Sequence, residues 1–324
     1  MTPSLIRTRG LTRTFGSATA VRELDLDVRE GELVAFLGPN GAGKSTTLRL
    51  LTTLLAPTSG TATVAGCDVR TDPAGVRRRI GYVGQGNGAG AAQRVADELV
   101  SQGRAYGLGR AEARARTAEL LDALQLGPLA RRKVSTLSGG QRRRLDIALG
   151  LVHRPGLLFL DEPSTGLDPQ SRANLWEHVL RLRAEHGTTI FLTTHYLDEA
   201  DTMAERVMVM DRGQVIADDT AARLKSKHVG ERVVVRAATP EGARRVAAAV
   251  GTEAADVTVA GTEVTARVED GPATLPTLLR AVPGVEVVAA EVRRPTLDDV
   301  FLALTGRSLR EEAATARTDD TPGA

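Results

Sequence analysis

Several features that would narrow the function of this 324-residue sequence are scarce or missing. Its single cysteine, Cys67, excludes an internal disulfide. Aromatic residues are only 3% of the chain and the formal net charge is +2, so neither a base-stacking surface nor a basic stripe supports nucleic-acid binding. No apolar run approaches the ~18 residues of a membrane span, and Met1–Gly10 lacks the apolar segment of a signal peptide. We therefore expect a cytosolic chain that contacts a membrane only through a partner.

What the sequence does contain is enough apolar material to fold. Apolar residues make up 42% of the chain, which argues against global disorder. The length suggests about two domains of roughly 150 residues each.

The strongest local pattern is a glycine-rich stretch between an apolar run, Leu33–Leu37, and the start of an amphipathic helix. The stretch fits G-x-x-x-x-G-K-[ST] and consists of Gly38, Pro39, Asn40, Gly41, Ala42, Gly43, Lys44, Ser45 and Thr46. Glycines let successive backbone N–H groups point at an anion, and the following helix adds its dipole. Lys44 would reach the β- and γ-phosphates, and Ser45 would bind Mg²⁺. A plain strand-to-helix turn would not require Lys44 and Ser45 at this spacing.

A second helix N-terminus that could bind an anion lies about a hundred residues after the glycine-rich stretch. Ser138 is a natural N-cap, and it is followed by Gly139, Gly140 and Gln141. The exposed N–H groups of such a start can bind a phosphate. An ordinary capped helix is the alternative, but it does not explain two glycines between the cap and the glutamine.

Acidic and imidazole side chains follow two apolar strands. Leu157–Leu160 leads into Asp161 and Glu162, and Thr189–Thr194 leads into His195. Continuous apolar strands are typical of a buried parallel sheet, whose carboxyl ends hold ligands. Asp161 could hold Mg²⁺ through water, Glu162 could polarise an attacking water, and His195 could contact the γ-phosphate. A surface acidic pair and a core histidine are the alternatives.

Together these stretches resemble the ATP-binding cassette family over residues 1–220. The matching motifs are the Walker A loop at Gly38–Ser45, the Q-loop glutamine Gln85, the signature at Leu137–Gln141, the Walker B strand at Leu157–Asp161, the catalytic Glu162, the D-loop at Gly166–Asp168 and the switch histidine His195. Phe15 matches the aromatic position that stacks on the base, where tyrosine is more usual. The resemblance implies ATP and Mg²⁺ as ligands, with Gln85 joining Ser45 and Asp161 at the metal. It also places Ser138–Gln141 and Asp168 in the nucleotide site.

The resemblance further implies a homodimer. In the family, two cassettes pack head to tail, and the signature residues of one, here Ser138–Gln141, cover the γ-phosphate held by the other. The implied fold is an α/β P-loop NTPase core with an antiparallel β subdomain and a helical subdomain at about residues 86–150.

The rest of the chain is expected to form a separate, smaller part. Residues 221–230 suggest a linker, and residues 231–306 suggest an α+β domain of βαββαβ order, compatible with a ferredoxin-like unit. The polar tail, residues 307–324, is expected to be disordered.

The C-terminal run Leu297–Leu302 resembles the ATPase subunits of daunorubicin-resistance exporters, although exporters of polysaccharides, lipids and lantibiotics share parts of it. This resemblance implies a peripheral ATPase at the cytoplasmic face of the cell membrane. It would drive efflux of a drug, antibiotic or other hydrophobic compound through a separate permease. The segment Gln93–Leu99, which faces the permease in the family, departs from the usual LTxxENL-like run. Export of lipid or polysaccharide, import, and a soluble role on ribosomes or DNA are the alternatives.

Overall fold

The chain divides into two compact units, Met1–Ala217 and Asp218–Ala324. The computed structural model describes residues 3–250 and 254–308. Most of the tail predicted to be disordered, residues 307–324, therefore lies outside the described residues, which end at Ser308. Within the described ranges, no helix combines the length and the apolar character needed to cross a bilayer.

The centre of the first unit is a six-stranded sheet of order β10-β9-β3-β8-β7-β6. Its strands are β3 (Leu33–Leu37), β6 (Ile80–Val83), β7 (Leu157–Asp161), β8 (Thr189–Thr194), β9 (Arg206–Asp211) and β10 (Gln214–Asp219). The pairs β3–β8, β3–β9, β6–β7 and β7–β8 are parallel. Every residue of β3, β7 and β8 is buried, as expected for strands covered on both faces. Their carboxyl ends carry the predicted site residues.

A second sheet in this unit is antiparallel, in the order β2-β1-β4-β5. Its strands are β1 (Ser4–Phe15), β2 (Ala18–Arg29), β4 (Ser59–Val64) and β5 (Cys67–Asp68). The alternating side chains of Leu24, Leu26 and Val28 are buried in one apolar core with Phe36 and Phe159 of the parallel sheet. This is the predicted antiparallel β subdomain, and it supports the phosphate loop from one side.

The helices of the first unit surround these sheets. They are α1 (Lys44–Leu51), α2 (Pro73–Arg79), α3 (Val95–Ala105), α4 (Arg110–Ala123), α5 (Gly139–Leu151), α6 (Pro169–His186) and α7 (Leu197–Met203). Helices α3, α4 and α5 form the helical part expected between residues 86 and 150, and α3 packs on both α4 and α5. The observed core is thus the predicted α/β fold.

The second unit begins with a helix where the sequence suggested a linker. Helix α8 (Ala221–His228) occupies most of residues 221–230. The hydroxyl of Thr220 accepts a hydrogen bond from the N–H of Arg223, and Ala221 and Leu224 are buried. The polar and basic composition of Lys225–His228 suggested a linker in the sequence, but the N-cap and the two buried apolar residues are sufficient for a short helix.

The remainder of the second unit has the predicted βαββαβ order. Its elements are β11 (Glu231–Ala237), α9 (Pro240–Ala249), β12 (Ala255–Ala260), β13 (Glu263–Val268), α10 (Gly271–Ala281), β14 (Val287–Arg293) and α11 (Leu297–Thr305). The sheet order is β12-β13-β11-β14, with antiparallel neighbours. This is the strand order of a ferredoxin-like unit with a helix, α11, added after it. Helices α9 and α10 bury one face of the sheet.

Candidate active site

The phosphate loop lies between β3 and α1, and its backbone requires glycine at two points. Gly43 has φ 106°, and a Cβ there would lie 2.4 Å from the carbonyl oxygen of Ala20. A Cβ on Gly38 would lie 2.3 Å from the carbonyl oxygen of Met210. Helix α1 has no side-chain cap, so its first N–H groups remain free to face an anion. The other loop residues predicted from the motif lie in the same turn or at the start of α1: Pro39, Asn40, Gly41, Ala42 and Thr46.

Lys44 is buried at the centre of this turn. Its Nζ donates hydrogen bonds to the carbonyl oxygens of Gly38 at 2.7 Å and Pro39 at 3.0 Å, and it lies 3.7 Å from Oε1 of Glu162. Burial lowers the pKa of Lys44 from its ordinary value, and the carboxylates of Glu162 and Asp161 oppose that effect. The ammonium group is therefore held at the loop, next to the predicted catalytic carboxylate.

Three oxygen-bearing side chains converge where the metal is expected. Ser45 Oγ donates to Oδ1 of Asp161 at 3.0 Å, and Gln85 Nε2 donates to Ser45 Oγ at 3.2 Å. No cluster of three His, Cys, Asp or Glu side chains that could hold a metal occurs among the described residues. One carboxylate, one hydroxyl and one amide suit Mg²⁺, which keeps waters and substrate phosphates as its remaining ligands. The three residues predicted to hold the metal therefore fit it.

Glu162 has an unusual backbone conformation, with φ 45° directly after strand β7. A non-glycine residue in this region stores strain of about 1–3 kcal/mol and often marks a functional position. Its carboxylate lies 3.3 Å from Nδ1 of His195 and accepts a hydrogen bond from Thr165 Oγ1. Burial raises the pKa of Glu162, but the interactions with His195 and Lys44 outweigh it and leave the pKa below its ordinary value. The carboxylate of Glu162 is therefore ionised at neutral pH, as the predicted role of proton acceptor requires.

Thr193 is a residue of this site that sequence reasoning missed. It is fully buried in β8, and its hydroxyl donates to Oδ1 of Asp161 at 2.7 Å. The same hydroxyl accepts from the backbone N–H of Glu162 at 3.0 Å. Threonine is common in β-strands, so its presence in an apolar strand did not indicate a functional role. Its position two residues before His195, on the strand beside β7, could have suggested the contact.

The predicted signature residues form a tightly capped helix start elsewhere in the unit. Ser138 Oγ accepts from the N–H of Gln141, and Gln141 Oε1 accepts from the N–H of Ser138, which is a capping box. A Cβ on Gly140 would lie 2.9 Å from Ser171 Oγ, whereas a Cβ on Gly139 would meet nothing closer than 3.9 Å. A side chain at position 140 would therefore press against Ser171, whereas position 139 is open.

The described residues include no hydrogen bond or ion pair that joins Ser138–Gln141 to the phosphate loop. The other predicted nucleotide contacts also have local roles. Asp168 caps α6 by accepting from the N–H and hydroxyl of Ser171, and these bonds lower its pKa. Phe15, at the end of β1, is 46% exposed and lies under the guanidinium of Arg13 at 4.5 Å, so it is available for stacking rather than part of the core.

The fold and the cluster of Lys44, Ser45, Asp161 and Glu162 define a phosphate-loop ATPase. The model of the ABC transporter family matches residues 21–165. The model of the C-terminal domain of DrrA1-3-like ATP-binding proteins matches residues 220–305.

Relatives of known name align with nearly the whole chain. It is 44% identical over 308 residues to the daunorubicin/doxorubicin resistance ATP-binding protein DrrA of Streptomyces peucetius, with 93% of this chain and 92% of the relative covered. It is 39% identical over 305 residues to the doxorubicin resistance ATP-binding protein DrrA of Mycobacterium tuberculosis, with 91% and 92% covered. It is 37% identical over 315 residues to the Nod factor export ATP-binding protein I of Cupriavidus metallidurans, with 95% and 99% covered.

Solved structures of cassettes are similar to about two thirds of the chain. One is cbiO1 from Clostridium perfringens, part of the ABC transporter complex cbiONQ, with a TM-score of 0.62, 29% identity, and 67% of this chain and 88% of that one covered. Another is the cassette MJ0796, a dimer in a post-hydrolysis state bound to ADP and Pi, with a TM-score of 0.61, 26% identity, and 66% and 98% covered. The chain therefore belongs to the ATP-binding proteins of the ABC transporter family, in the DrrA-like group, and it is an ATPase.

Proposed function

We propose that this chain forms a head-to-tail homodimer that binds ATP and Mg²⁺ at two shared sites. Through a separate membrane permease, the dimer would drive efflux of a drug, antibiotic or other hydrophobic compound, and it would act as a peripheral protein at the cytoplasmic face of the cell membrane. The observation that carries this proposal is the separation, within one chain, of the signature helix start from the phosphate loop. Each chain then supplies two halves of different sites.

The open position at Gly139 supports a shared site. Gly139 has no side chain, and a Cβ there would meet nothing closer than 3.9 Å, so this helix start leaves room for a phosphate brought by another molecule. The similar cassette MJ0796 is described as dimeric and bound to ADP and Pi, which supports a dimer that binds nucleotide. The closed dimer would be held by ATP and released by hydrolysis, so that the interface works as a switch.

Within one site, each residue has a chemical role that its geometry supports. Lys44 would hold the β- and γ-phosphates, and Ser45, Asp161 and Gln85 would hold Mg²⁺. Mg²⁺ held there would neutralise the negative charge that develops on the phosphates. Glu162, ionised and beside Lys44, would accept a proton from the attacking water. His195 would contact the γ-phosphate.

We place the permease contact at a groove next to Gln85. A cavity of about 260 Å³ there is lined by residues that include Tyr82, Gly86, Glu98, Tyr106 and Asp146. Helix α3, which carries Glu98, begins within the segment Gln93–Leu99. A permease segment in this groove would touch the loop that begins at Gln85, and Gln85 in turn contacts Ser45. A change caused by permease binding at the groove would thus be transmitted to the proposed metal site through the side chain of Gln85.

The cargo is proposed from the relatives. Two of them are named for daunorubicin or doxorubicin resistance, which favours an antibiotic or drug. A relative named for Nod factor export indicates that cargo varies among similar proteins, so lipid or polysaccharide cargo remains the second candidate. A soluble, non-transport ATPase is the remaining alternative, and recovery of the chain with ribosomes but with no membrane protein would favour it.

The dimer mechanism is tested by Glu162→Gln. We expect turnover to fall by at least roughly a hundredfold, because the amide cannot accept a proton. The ATP-bound dimer should then accumulate, as measured by light scattering after size-exclusion chromatography. Glu185→Gln, the same change at an exposed residue of α6, is the control. A Glu162→Gln chain that hydrolyses ATP at a near-normal rate, or stays monomeric with ATP, would contradict the mechanism.

A further inference from the structure

Three consecutive arginines follow the signature residues on helix α5, and their side chains go to different places. Arg142 donates to the carbonyl oxygen of Val134 at 3.0 Å, before the signature, and Arg144 donates to the side chain of Asn174 on α6. Arg143 is only 8% exposed and points into the ATPase site. A run that looks like an exposed basic patch in the sequence therefore contains one buried cation.

Arg143 binds backbone oxygens from two segments of the site. Its Nη1 donates to the carbonyl oxygen of Gly84 at 2.7 Å, and its Nε donates to that of Pro163 at 2.7 Å. Its Nη2 is shared between the carbonyl oxygens of Asp161 at 3.1 Å and Glu162 at 3.3 Å. Gly84 precedes Gln85, so one guanidinium joins the start of the Q-loop to the end of β7.

The bonds of Arg143 fall on both sides of the strained residue of the site. Glu162 has φ 45°, and Arg143 holds the carbonyl oxygens of the residue before it, of Glu162 itself and of the residue after it. The N–H of Glu162 is held separately by Thr193. With both its N–H and its carbonyl oxygen held, the backbone of Glu162 is fixed in the conformation from which its carboxylate lies beside Lys44 and His195.

The charge of Arg143 is maintained in this buried position. Burial lowers the pKa of Arg143 from its ordinary value, and the facing carboxylates of Asp146 and Asp161 oppose that effect. The ordinary pKa of arginine lies so far above neutral pH that the guanidinium stays protonated despite its burial. Charge-assisted hydrogen bonds to several carbonyl oxygens are stronger than neutral ones, and the planar fork fixes their directions.

We propose that Arg143 is a positioning residue for ATP hydrolysis: from the signature helix, its guanidinium holds the backbone turn that aims the carboxylate of Glu162. Its hydrogen bonds go to backbone carbonyl oxygens, so it would act on the reaction through Glu162. Because it lies on the helix that begins with Ser138–Gln141, movement of that helix moves the base. This last step rests on the proposed dimer, whereas the positioning role does not.

The test compares steady-state ATP hydrolysis and binding of a non-hydrolysable ATP analogue by the full-length chain and its variants. Arg143→Gln cannot bind all four carbonyl oxygens, and we expect kcat to fall by roughly a hundredfold, the order expected for a misplaced catalytic group. Affinity for the analogue should stay within about threefold, because the phosphate loop is untouched. Arg143→Lys, which keeps the charge but loses the fork, should lie between the wild-type chain and the glutamine variant.

The control is Arg142→Gln, the same substitution one position earlier on α5, where a single bond to Val134 is lost. Its kcat should stay within about twofold of the wild-type chain. A folded Arg143→Gln chain with near-normal kcat would overturn the proposal, and so would an equal loss of kcat and analogue affinity, since that pattern indicates a general structural role. If Arg143→Gln does not fold, Arg143→Lys decides by the same criterion. Failure of ATP-dependent dimer formation in Glu162→Gln would overturn only the dimer.

Discussion

In the proposed ATPase site, single side chains hold other site residues in place through hydrogen bonds. Thr193 is the clearest example, because one hydroxyl orients the carboxylate of Asp161 and accepts the N–H of Glu162. Residues that orient a metal ligand in this way typically change metal affinity 10- to 100-fold when they are removed. The residue proposed to bind the metal and the proposed base are thus linked through one buried hydroxyl.

We predict that Thr193→Val, which keeps the shape but removes the hydroxyl, raises the Mg²⁺ concentration for half-maximal ATPase activity by about tenfold or more. A titration of Mg²⁺ at saturating ATP measures this directly. Thr193→Ser retains the hydroxyl and should behave like the wild-type chain. Equal Mg²⁺ requirements in the valine and serine variants would show that the hydroxyl does not orient Asp161.

These residues show which parts of the site could be predicted from patterns in the sequence, and which could not. The phosphate loop, the signature cap and the acidic strand end are made by neighbours in sequence, so their residue types and spacing are informative. Thr193 and Arg143 bind groups 18 to 59 residues away, and most of those groups are backbone atoms. A bond to a distant backbone atom leaves no pattern of side chains in the sequence. The position of Thr193 two residues before His195 was a hint, whereas the bonds of Arg143 are visible only in the folded chain.

At the level of helices and strands, the run Leu297–Leu302 has a structural explanation. Thr296 and Asp299 form a capping box at the start of α11. Leu297, Val300 and Phe301 are buried, and α11 packs on α8. Asp298 accepts a hydrogen bond from Ser308. The run that marked the exporter resemblance therefore also encodes a well-capped amphipathic helix.

Phe301→Ala should destabilise the packing of α11 by about 3–5 kcal/mol, the usual cost of removing a buried phenyl ring. Hydrogen exchange followed by mass spectrometry should show faster exchange in α11 and in α8, its packing partner. Leu302→Ala is the matched control, because Leu302 is the next residue on the same helix and is 46% exposed. Equal effects of the two substitutions would be inconsistent with the burial pattern.

At the level of the whole molecule, the chain is proposed to act as one protomer of a symmetric homodimer. Both functional surfaces, the phosphate loop and the signature helix start, belong to the first unit, Met1–Ala217. In a head-to-tail dimer each site takes one surface from each chain. Two chains with different defects could then complement each other, which is impossible when every site is made within one chain.

We predict that Lys44→Ala and Gly139→Asp chains are each inactive alone and recover activity when mixed. Random pairing makes half of the dimers mixed, and each mixed dimer has one intact site, so roughly a quarter of the wild-type rate should return. Steady-state ATP hydrolysis over a range of mixing ratios measures it. Two portions of the same variant provide the baseline. Activity that never rises above that baseline would indicate sites contained within single chains.

The exposed ring of Phe15 has a consequence for nucleotide specificity. Stacking uses the face of a base and tolerates every base, because it reads none of the hydrogen-bonding edge that distinguishes adenine from guanine. Strong discrimination between nucleotides needs buried polar groups that are left unpaired by the wrong one. A pocket that relies on this ring beside Arg13 would accept guanine as well as adenine. The relative abundance of the two triphosphates in the cell would then decide which of them powers the protein.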